Sequence, residues 1–388
     1  MEFPLGAAVT VEQLDRDPHP VLARLREREP VSWVPALDGW LVTRYDLVTE
    51  AMRDSATFTV DDPRFSTAQV IGPSMLSLDG QAHERHRAPF VAPFRPRPVA
   101  DRFTAPTTQR ANRLLDELAP RGAGEFRRGF AGPIAAAIIV RALGLPDAQD
   151  DAVLGWYDAI VQSVTSITAG TGFTVAGRAA FTELRTSLLQ AIEAGASLLA
   201  DAAHAPAGLS PDELVSDAAV LLFGGIETTE GMIANALLHL LERPEQLERV
   251  RADPALLETA IEESLRLEPA AAVIDRYATA DTRLGEAGIS TGDLVRLSIA
   301  GANRDPALFP NPDELDLTGV NGRRHLAFAH GPHVCLGVHL ARLEARTAIA
   351  VALRRLPGLR LDPERPASVR GLVFRKPIEL HVRWDKAR

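Results

Sequence analysis

The chain has 388 residues, of which 46% are apolar and 24% charged, the composition of an ordinary globular protein with a sizeable core. Its formal net charge of −9 argues against nucleic acid as the main partner, because phosphate binding requires a basic face. The first ten residues contain no basic segment and no long apolar run, so we expect neither a signal peptide nor a membrane anchor, and a cytoplasmic location.

The first hundred residues mix short strand and helix patterns. A strand is predicted at residues 40–43 and a helix at 46–53. From residue 101 to 248 the apolar periodicity is mostly helical, and glycine or proline clusters predict loops at 120–124, 170–177 and 206–208. These patterns indicate a mainly helical α+β protein.

The clearest helix start in the chain is at Ser210. Ser210 can cap the helix, Pro211 suits its first position, and Glu213 can complete a capping box. The apolar pattern then continues to Leu241, and a helix of about 30 residues would be about 45 Å long. The sequence therefore predicts one unusually long helix.

Polar residues interrupt the apolar middle of this long helix at Glu227, Glu230, Asn235 and His239. A membrane-spanning helix would place these groups in hydrocarbon, and flanking basic anchors are sparse. We therefore expect a central helix of a soluble domain, in contact with no membrane.

The last third of the chain begins with a helix predicted from Asp253, which must end near Leu267 because Pro269 disfavours helix in the residue before it. Short strands follow, and then an irregular stretch at 300–329. A helix is predicted at about 336–356, and a terminal strand pair around Gly371.

The only cysteine, Cys335, lies just before a predicted helix, in a segment rich in glycine and aromatic residues. A single cysteine excludes an intrachain disulfide and a zinc site of several thiolates, and leaves buried filler, a reactive thiol or a metal ligand. The helix N-terminus would favour a thiolate, Gly331 permits a tight turn, and Gly337 allows close approach to a flat ligand. Phe328 could pack beside that ligand.

Three further patterns carry polar residues at helical spacing. Glu263 and Arg266 are three residues apart on one helix face, as in many solvated surface pairs. His83 and Arg87 are four apart, which also suits a solvated basic face. Adjacent glycines, two threonines and a glutamate lie in the middle of the long helix, where they weaken it and could form a simple kink; they are Gly224, Gly225, Glu227, Thr228 and Thr229.

Together these patterns resemble those of the cytochromes P450. The segment around Cys335 is similar to the cysteine ligand loop of that family, with matching positions at Phe328, Gly331, His333, Cys335, Gly337 and Ala341. Ala329 departs from the pattern, because many relatives have glycine after the phenylalanine, and this departure affects the expected shape of the loop.

The resemblance implies one prism-shaped, mainly α (α+β) domain over residues 1–388, with small sheets and a long central helix. Residues 1–100, 271–300 and 365–385 would form its β-rich part. Residues 101–270 and 325–356 would form its helical part.

The resemblance also implies haem b, with the Cys335 thiolate as the axial ligand of the iron. The propionates would be held by His83, Arg87, Arg276 and His333, and the ring would lie against Gly224, Gly225, Phe328 and Gly337. Glu263 and Arg266 would lock the proximal side by pairing with the irregular segment at 300–316.

The implied function is that of a monooxygenase, which activates dioxygen with two electrons and inserts one oxygen atom into a small hydrophobic or amphipathic substrate. Glu227 and Thr228 would deliver the protons. The expected pocket residues are Val70, Ile71, Met75, Phe223, Val273, Ile274, Leu372 and Val373.

We expect the protein to be a monomer that receives electrons from separate proteins. We expect no reductase domain to follow, and the sequence contains no flavin or iron–sulfur motif, so a ferredoxin and its reductase are the expected donors. The docking face would carry Arg323, Arg324, Arg342 and Arg346 on the cysteine side.

Three other functions are compatible with parts of this pattern. The same haem could support a peroxide-driven peroxygenase or an oxidative coupling enzyme. The chain could instead be a haem sensor or carrier, which would have no use for a proton relay. In a third alternative, Cys335 is the nucleophile of a thiol hydrolase, with His333 or His330 as its base.

Overall fold

The computed structural model of the chain describes residues 2–146, 150–168, 172, 174–195 and 197–386. The helices are α1 (Pro4–Ala7), α2 (Val11–Arg16), α3 (His19–Arg28), α4 (Tyr45–Arg53), α5 (Ser66–Ile71), α6 (Gly80–Val91), α7 (Pro96–Leu118), α8 (Gly132–Leu143), α9 (Asp150–Thr168), α10 (Val175–Glu193), α11 (Leu198–Ala203), α12 (Pro211–Leu241), α13 (Pro244–Ala252), α14 (Leu256–Leu267), α15 (Ile299–Ala302) and α16 (Val338–Arg355). The strands are β1 (Val31–Val34), β2 (Gly39–Val42), β3 (Phe58–Thr59), β4 (Ala123–Glu125), β5 (Val273–Ala278), β6 (Thr282–Leu284), β7 (Ala287–Ile289), β8 (Leu294–Ser298), β9 (Arg360–Leu361), β10 (Val369–Arg370), β11 (Lys376–Pro377) and β12 (His381–Arg383).

The long helix α12 is the centre of the helical part, and its predicted start is confirmed. The Ser210 hydroxyl accepts the backbone N–H of Glu213, and the Glu213 carboxylate accepts the N–H of Ser210, which completes the capping box. The helix has 31 residues, most of them buried, and packs against α8, α14 and α16. Within the described residues, no helix is both long and apolar enough to cross a membrane.

The main sheet has five strands in the order β1-β2-β8-β5-β3, and it joins the first sixty residues to the segment at 273–298. The pair β2–β8 is parallel, with Trp40 opposite Val295, and the other pairs are antiparallel. The predicted strand at 40–43 and helix at 46–53 are confirmed with shifts of one residue.

Three smaller sheets complete the β structure of the described residues, and one of them connects distant parts of the chain. The terminal pair predicted around Gly371 is present as β10–β11, and β6 pairs with β7. The third sheet, β4-β12-β9, joins residues 123–125 to the C-terminal strand. This strand β4 lies inside the segment 101–270 that was expected to be helical, because its partner β12 comes from far along the chain.

Two helix starts and one irregular stretch differ from the sequence-based expectation. Helix α14 begins at Leu256 rather than Asp253, because the Asp253 carboxylate accepts the N–H of Ala255 in a turn before the helix. The stretch expected to be irregular from residue 300 includes the end of α15. Ser298 caps the start of this helix, because its hydroxyl accepts the N–H of Gly301. Helix α16 spans 338–355, inside the predicted range.

A buried ion pair fastens α14 to the irregular segment. The Arg266 Nε–H and Nη2–H donate to the two carboxylate oxygens of Glu263 at 3.0 and 2.9 Å, and Arg266 also donates to the carbonyls of Pro312 and Glu314 at 2.6 Å. Glu263 accepts the N–H of Asp316 at 3.0 Å. Both side chains are almost completely buried, so the alternative of a solvated surface pair is wrong.

Replacement of Arg266 by methionine tests this arrangement. Arg266→Met leaves the Glu263 carboxylate and two carbonyls buried without their donor, so we expect the free energy of unfolding to fall by about 3–5 kcal/mol. Urea unfolding at neutral pH measures the loss. The control Arg249→Met, on the exposed side of α13, should change stability by no more than about 0.5 kcal/mol. Equal stabilities of the two variants would contradict the buried role of Arg266.

Candidate active site

Cys335 follows a short 3₁₀ turn and precedes α16. Its N–H donates to the carbonyl of Phe328 at 2.8 Å, and the turn requires Gly331, which has a φ of +75° and would collide through a Cβ with the carbonyl of Met52. Burial raises the pKa of the Cys335 thiol, whereas the N–H of Gly337 and the charge of Arg87 oppose this shift. The thiol therefore stays protonated without a stronger partner, and a bound metal cation would supply one.

Ala329 keeps the loop in the shape that a glycine would give. Its φ is +56°, in the left-handed region, and its N–H donates to the carbonyl of Leu326 at 2.8 Å. A left-handed alanine costs about 1–2 kcal/mol, which the surrounding contacts must offset. The departure from the glycine pattern therefore leaves the backbone path intact and stores local strain.

Four cationic or titratable side chains from three parts of the chain converge beside this loop, as expected from the sequence. The rings of His83 and His333 are 4.3 Å apart, and Arg87 Nη2–H donates to the carbonyl of Val334 at 2.6 Å. Arg276 is 4% exposed and donates to the carbonyl of Asp275. Within the described part of the chain, neither Arg87 nor Arg276 forms an ion pair with a carboxylate.

The electrostatics of this group indicate a site for an anion. Burial, together with the charges of His333 and Arg87, lowers the pKa of His83 to about 4. Burial also lowers the pKa of Arg276 to about 10, although the carboxylates of Asp79 and Asp275 oppose the shift. His83 Nε2 is buried without a hydrogen-bond partner. A ligand with carboxylates would restore both charge balance and hydrogen bonding, so these residues fit a haem with two propionates.

Asp79, at the start of α6, was missed from the sequence and organises this group. Its carboxylate accepts the Thr59 hydroxyl and the N–H of Val60 and contacts His333 Nε2 at 2.7 Å. Burial alone would raise the pKa of Asp79, but these three hydrogen bonds lower it, so the group is anionic. The signal available in the sequence was an aspartate at an N-cap position before Gly80.

Arg342 covers the ring of Phe328, a contact that the sequence did not predict. The Arg342 guanidinium lies 4.7 Å from the centre of the Phe328 ring. Arg342 donates two hydrogen bonds of 2.7 Å to Glu262, which also contacts His325 Nε2 at 3.1 Å. Burial opposes ionisation of Glu262, yet these partners lower its pKa to about 2. Arg342 is therefore neutralised within the protein.

The middle of α12 differs from the expected distorted helix. The helix is unbroken from 224 to 229, and the Thr228 hydroxyl donates to the carbonyl of Gly224 at 2.7 Å. Gly225 serves helix packing, because a Cβ there would lie 2.9 Å from Ile139 on α8. The space beside Gly224 is open. The glycine pair thus permits close packing on one side, and only Gly224 is suited to contact a ligand.

Glu227 is buried, and its partner comes from the C-terminal part of the chain. Lys376 Nζ lies 2.7 Å from Glu227 Oε1 and 2.7 Å from Glu230 Oε2. No hydrogen bond joins the side chains of Glu227 and Thr228. The alternative of a simple helix kink, in which Glu227 would be paired with nearby groups, is therefore wrong. Lys376 is a residue of this site that the sequence patterns did not reveal.

Six of the eight expected pocket residues lie in or against three apolar clusters. Val70, Ile71, Met75 and Phe223 belong to the main buried cluster, Ile274 packs against a second cluster under β8, and Leu372 packs against a third near the N-terminus. The carbonyl of Val373 accepts the N–H of Ala272, so Val373 lies beside Val273 at the start of β5. The Phe223 ring meets Phe374 edge-on at 5.6 Å.

Comparisons with known proteins agree on one family. The family model described as Cytochrome P450 matches residues 182–365. Nocardicin C N-oxygenase from Nocardia uniformis subsp. tsuyamanensis is 36% identical over 98% of each chain. Cytochrome P450 monooxygenase PikC from Streptomyces venezuelae is 32% identical over 96% of this chain and 92% of its own. Among solved structures, P450BioI bound to an acyl carrier protein carrying hexadec-9Z-enoic acid has a TM-score of 0.87 and 29% identity, over 96% of this chain and 100% of its own.

Proposed function

The chain belongs to the cytochrome P450 family of haem-thiolate monooxygenases, and we propose that Cys335 is the iron ligand of a haem b whose propionates bind Arg87, Arg276, His83 and His333. The observation that carries this proposal is that Arg87 and the buried Arg276 lie beside the only cysteine, and neither forms an ion pair with a carboxylate among the described residues. Membership of a monooxygenase family makes the thiol hydrolase and the haem sensor wrong. We also propose that residues 1–388 form a single P450 domain, supported by the sheets that join both ends of the chain to its middle.

Each part of the site has one task in this proposal. When bound, the haem supplies the redox chemistry that places one atom of dioxygen in the substrate and releases the other as water, with two electrons and two protons consumed. Arg87 and Arg276 hold the propionates by charge and hydrogen bonding. Gly224 leaves room for a ligand beside α12. Glu227 and Thr228 hold and pass protons on the dioxygen side, which favours dioxygen over peroxide as the oxidant.

The proposed substrate is a small hydrophobic or amphipathic molecule. The apolar side chains of Val70, Ile71, Met75 and Phe223 support this class, because they offer hardly any polar partners. Relatives are named for N-oxygenation of nocardicin C and for hydroxylation or epoxidation of mycinamicin IV. We propose a monomer that takes electrons from a ferredoxin and its reductase.

The proposed ferredoxin surface is smaller than the four arginines expected from the sequence. Arg323 pairs with Glu258, and Arg342 pairs with Glu262. Arg324 and Arg346 are exposed, and neither has an ion-pair partner within the described residues. These two arginines are therefore the charges that an acidic partner would meet.

The first prediction concerns the iron ligand. Dithionite-reduced protein treated with carbon monoxide should absorb near 450 nm, about the wavelength that marks thiolate ligation of haem in this family. Cys335→Ser should lose this band and absorb at shorter wavelength, because no other cysteine is present. A band near 450 nm in the variant, or its absence from folded wild-type protein with bound haem, would refute the ligand assignment.

The second prediction concerns Thr228. Thr228→Ala should lower the product formed per NAD(P)H by about tenfold or more and divert electrons to hydrogen peroxide, because the hydroxyl no longer passes protons. Product and peroxide are measured in the same assay with saturating donors. The control Thr229→Ala removes a buried hydroxyl at the next position and should stay close to wild type. Normal coupling in Thr228→Ala would show that the alcohol is dispensable.

The third prediction concerns electron transfer. Reversal of both charges in Arg324→Glu/Arg346→Glu should raise the KM for ferredoxin by about tenfold at low salt, and added salt should shrink the difference. Steady-state reduction with increasing ferredoxin measures the effect. The control Arg24→Glu/Arg141→Glu makes the same change in net charge at exposed positions elsewhere. Equal KM values for the two double variants would exclude this surface.

A further inference from the structure

Lysine is almost absent from this chain. The sequence contains two lysines, Lys376 and Lys386, among 42 basic residues, and all the others are arginine. Lys386 is exposed near the C-terminus, whereas the side chain of Lys376 is 14% exposed and lies between two buried glutamates. In a protein that uses arginine for nearly every other positive charge, a lysine at this position points to a property that arginine lacks.

The two glutamates are three residues apart on one face of α12, and Lys376 bridges them with two contacts of 2.7 Å. Glu230 is completely buried. It has two further cations nearby, with Arg127 Nη1 at 3.6 Å and Arg128 Nε at 3.4 Å. Glu227 has only Lys376 as an ion-pair partner in the described part of the chain. Lys376 is therefore one of three cations near Glu230 but the single ion-pair partner of Glu227 among the described residues.

The backbone of Lys376 is firmly fixed, so any motion belongs to its side chain. The neighbouring Arg375 donates its N–H to the carbonyl of Ala270 at 2.9 Å, and its own carbonyl accepts Asn235 Nδ2–H at 3.0 Å. Its guanidinium is buried against Glu268 at 2.7 Å. Gly231 allows the chain around Ala270 to lie close to α12, because a Cβ at position 231 would be 3.0 Å from Ala270 Cβ.

Lysine and arginine differ in how they can hold two carboxylates. An ammonium is a compact charge on a flexible chain, and it can give up one partner while it keeps the other. A guanidinium is a rigid planar fork whose donors hold their partners in fixed directions. Because Glu230 lies on the same helix face and has its own 2.7 Å contact with the ammonium, Lys376 can keep Glu230 as its partner when Glu227 moves away.

We propose that Lys376 is a positioning residue that controls the proton-delivering acid Glu227. In the bridged state seen here, the Glu227 carboxylate is paired with the Lys376 ammonium, and the Thr228 hydroxyl donates to the carbonyl of Gly224. When Lys376 pairs with Glu230 alone, Glu227 is free to take a proton from water and pass it to Thr228. This inference rests on the proposed roles of Glu227 and Thr228.

The first experiment needs no turnover. The C–O stretching frequency of the reduced carbon monoxide complex senses nearby charge and can be followed by infrared spectroscopy from about pH 5 to pH 9. The charged groups that face Glu227 from the elements packed on it are Lys376, Glu230, Arg127 and Arg128. In Lys376→Met the Glu227 carboxylate is buried without its counter-ion and should take up a proton in this range, which gives a pH-dependent frequency.

Matched variants identify the group that titrates. Wild type, Lys376→Arg and the exposed control Lys386→Met keep a cation beside Glu227 and should show no such transition. Lys376→Met/Glu227→Gln should lose it, whereas Lys376→Met/Glu230→Gln should keep it. The last variant removes the second buried charge, so it also provides a stable protein if Lys376→Met folds poorly. A flat profile in both variants that lack Lys376 but keep Glu227 would overturn the proposal.

Measurements of turnover then distinguish a positioning role of Lys376 from a purely structural role. We expect Lys376→Met to release about tenfold more peroxide per product at the high end of this pH range than at the low end, and Lys376→Arg to restore stability but deliver protons more slowly than wild type. If Lys376→Arg restores both the stability and the rate of proton delivery, Lys376 serves only to connect β11 to α12. If Glu227→Gln itself forms product normally, the proposed role of Glu227 fails; if Glu227→Gln uncouples while Lys376→Met behaves as wild type, this inference alone fails.

Discussion

Uncompensated positive charge beside Cys335 is the constraint on which the site depends. Arg276 and Arg87 have lost most of their contact with water, and both of their pKa values are lowered by burial. Elsewhere the protein neutralises buried arginines itself, as in the pair of Arg266 with Glu263 and that of Arg375 with Glu268. Because desolvated cations are stabilised by nearby anions, the arginines beside α6, β5 and the cysteine loop fit the proposed anionic ligand. Haem binding should therefore contribute directly to the stability of this region.

The arginines that form ion pairs within the protein have a different role, because they fix the backbone around the proposed ligand. Arg266 holds the carbonyls of Pro312 and Glu314, so a long segment without regular structure is tied to α14. Arg342 joins Glu262 of the same helix to the ring of Phe328. The cysteine loop thus rests on α14 through charged side chains whose geometry is set by planar, bidentate hydrogen bonds. Such contacts specify orientation more strictly than apolar packing would.

Local signals in the sequence were sufficient for much of this structure. The capping box at Ser210 and Pro269 after α14 depend on neighbours within a few residues, and both helix ends were predicted correctly. Resemblance to a family identified the residues around Cys335. Three features were beyond local reasoning: the unbroken course of α12 past its two glycines, the strand β4, and the pairing of Lys376. Each depends on a partner distant in sequence, such as Ile139 for Gly225.

The two sides of the site use different cations for a physical reason. In the proposed site, the propionates would need cations of constant charge and fixed direction, and arginine provides both. The proposed proton-delivering acid would need to be paired in one state and released in another, and a rigid guanidinium bound to Glu227 would hinder that release. A single ammonium shared by Glu227 and Glu230 can stay with Glu230 while Glu227 moves away, because it is a compact charge on a flexible chain. The lysine at position 376, one of two in the sequence, fits that requirement.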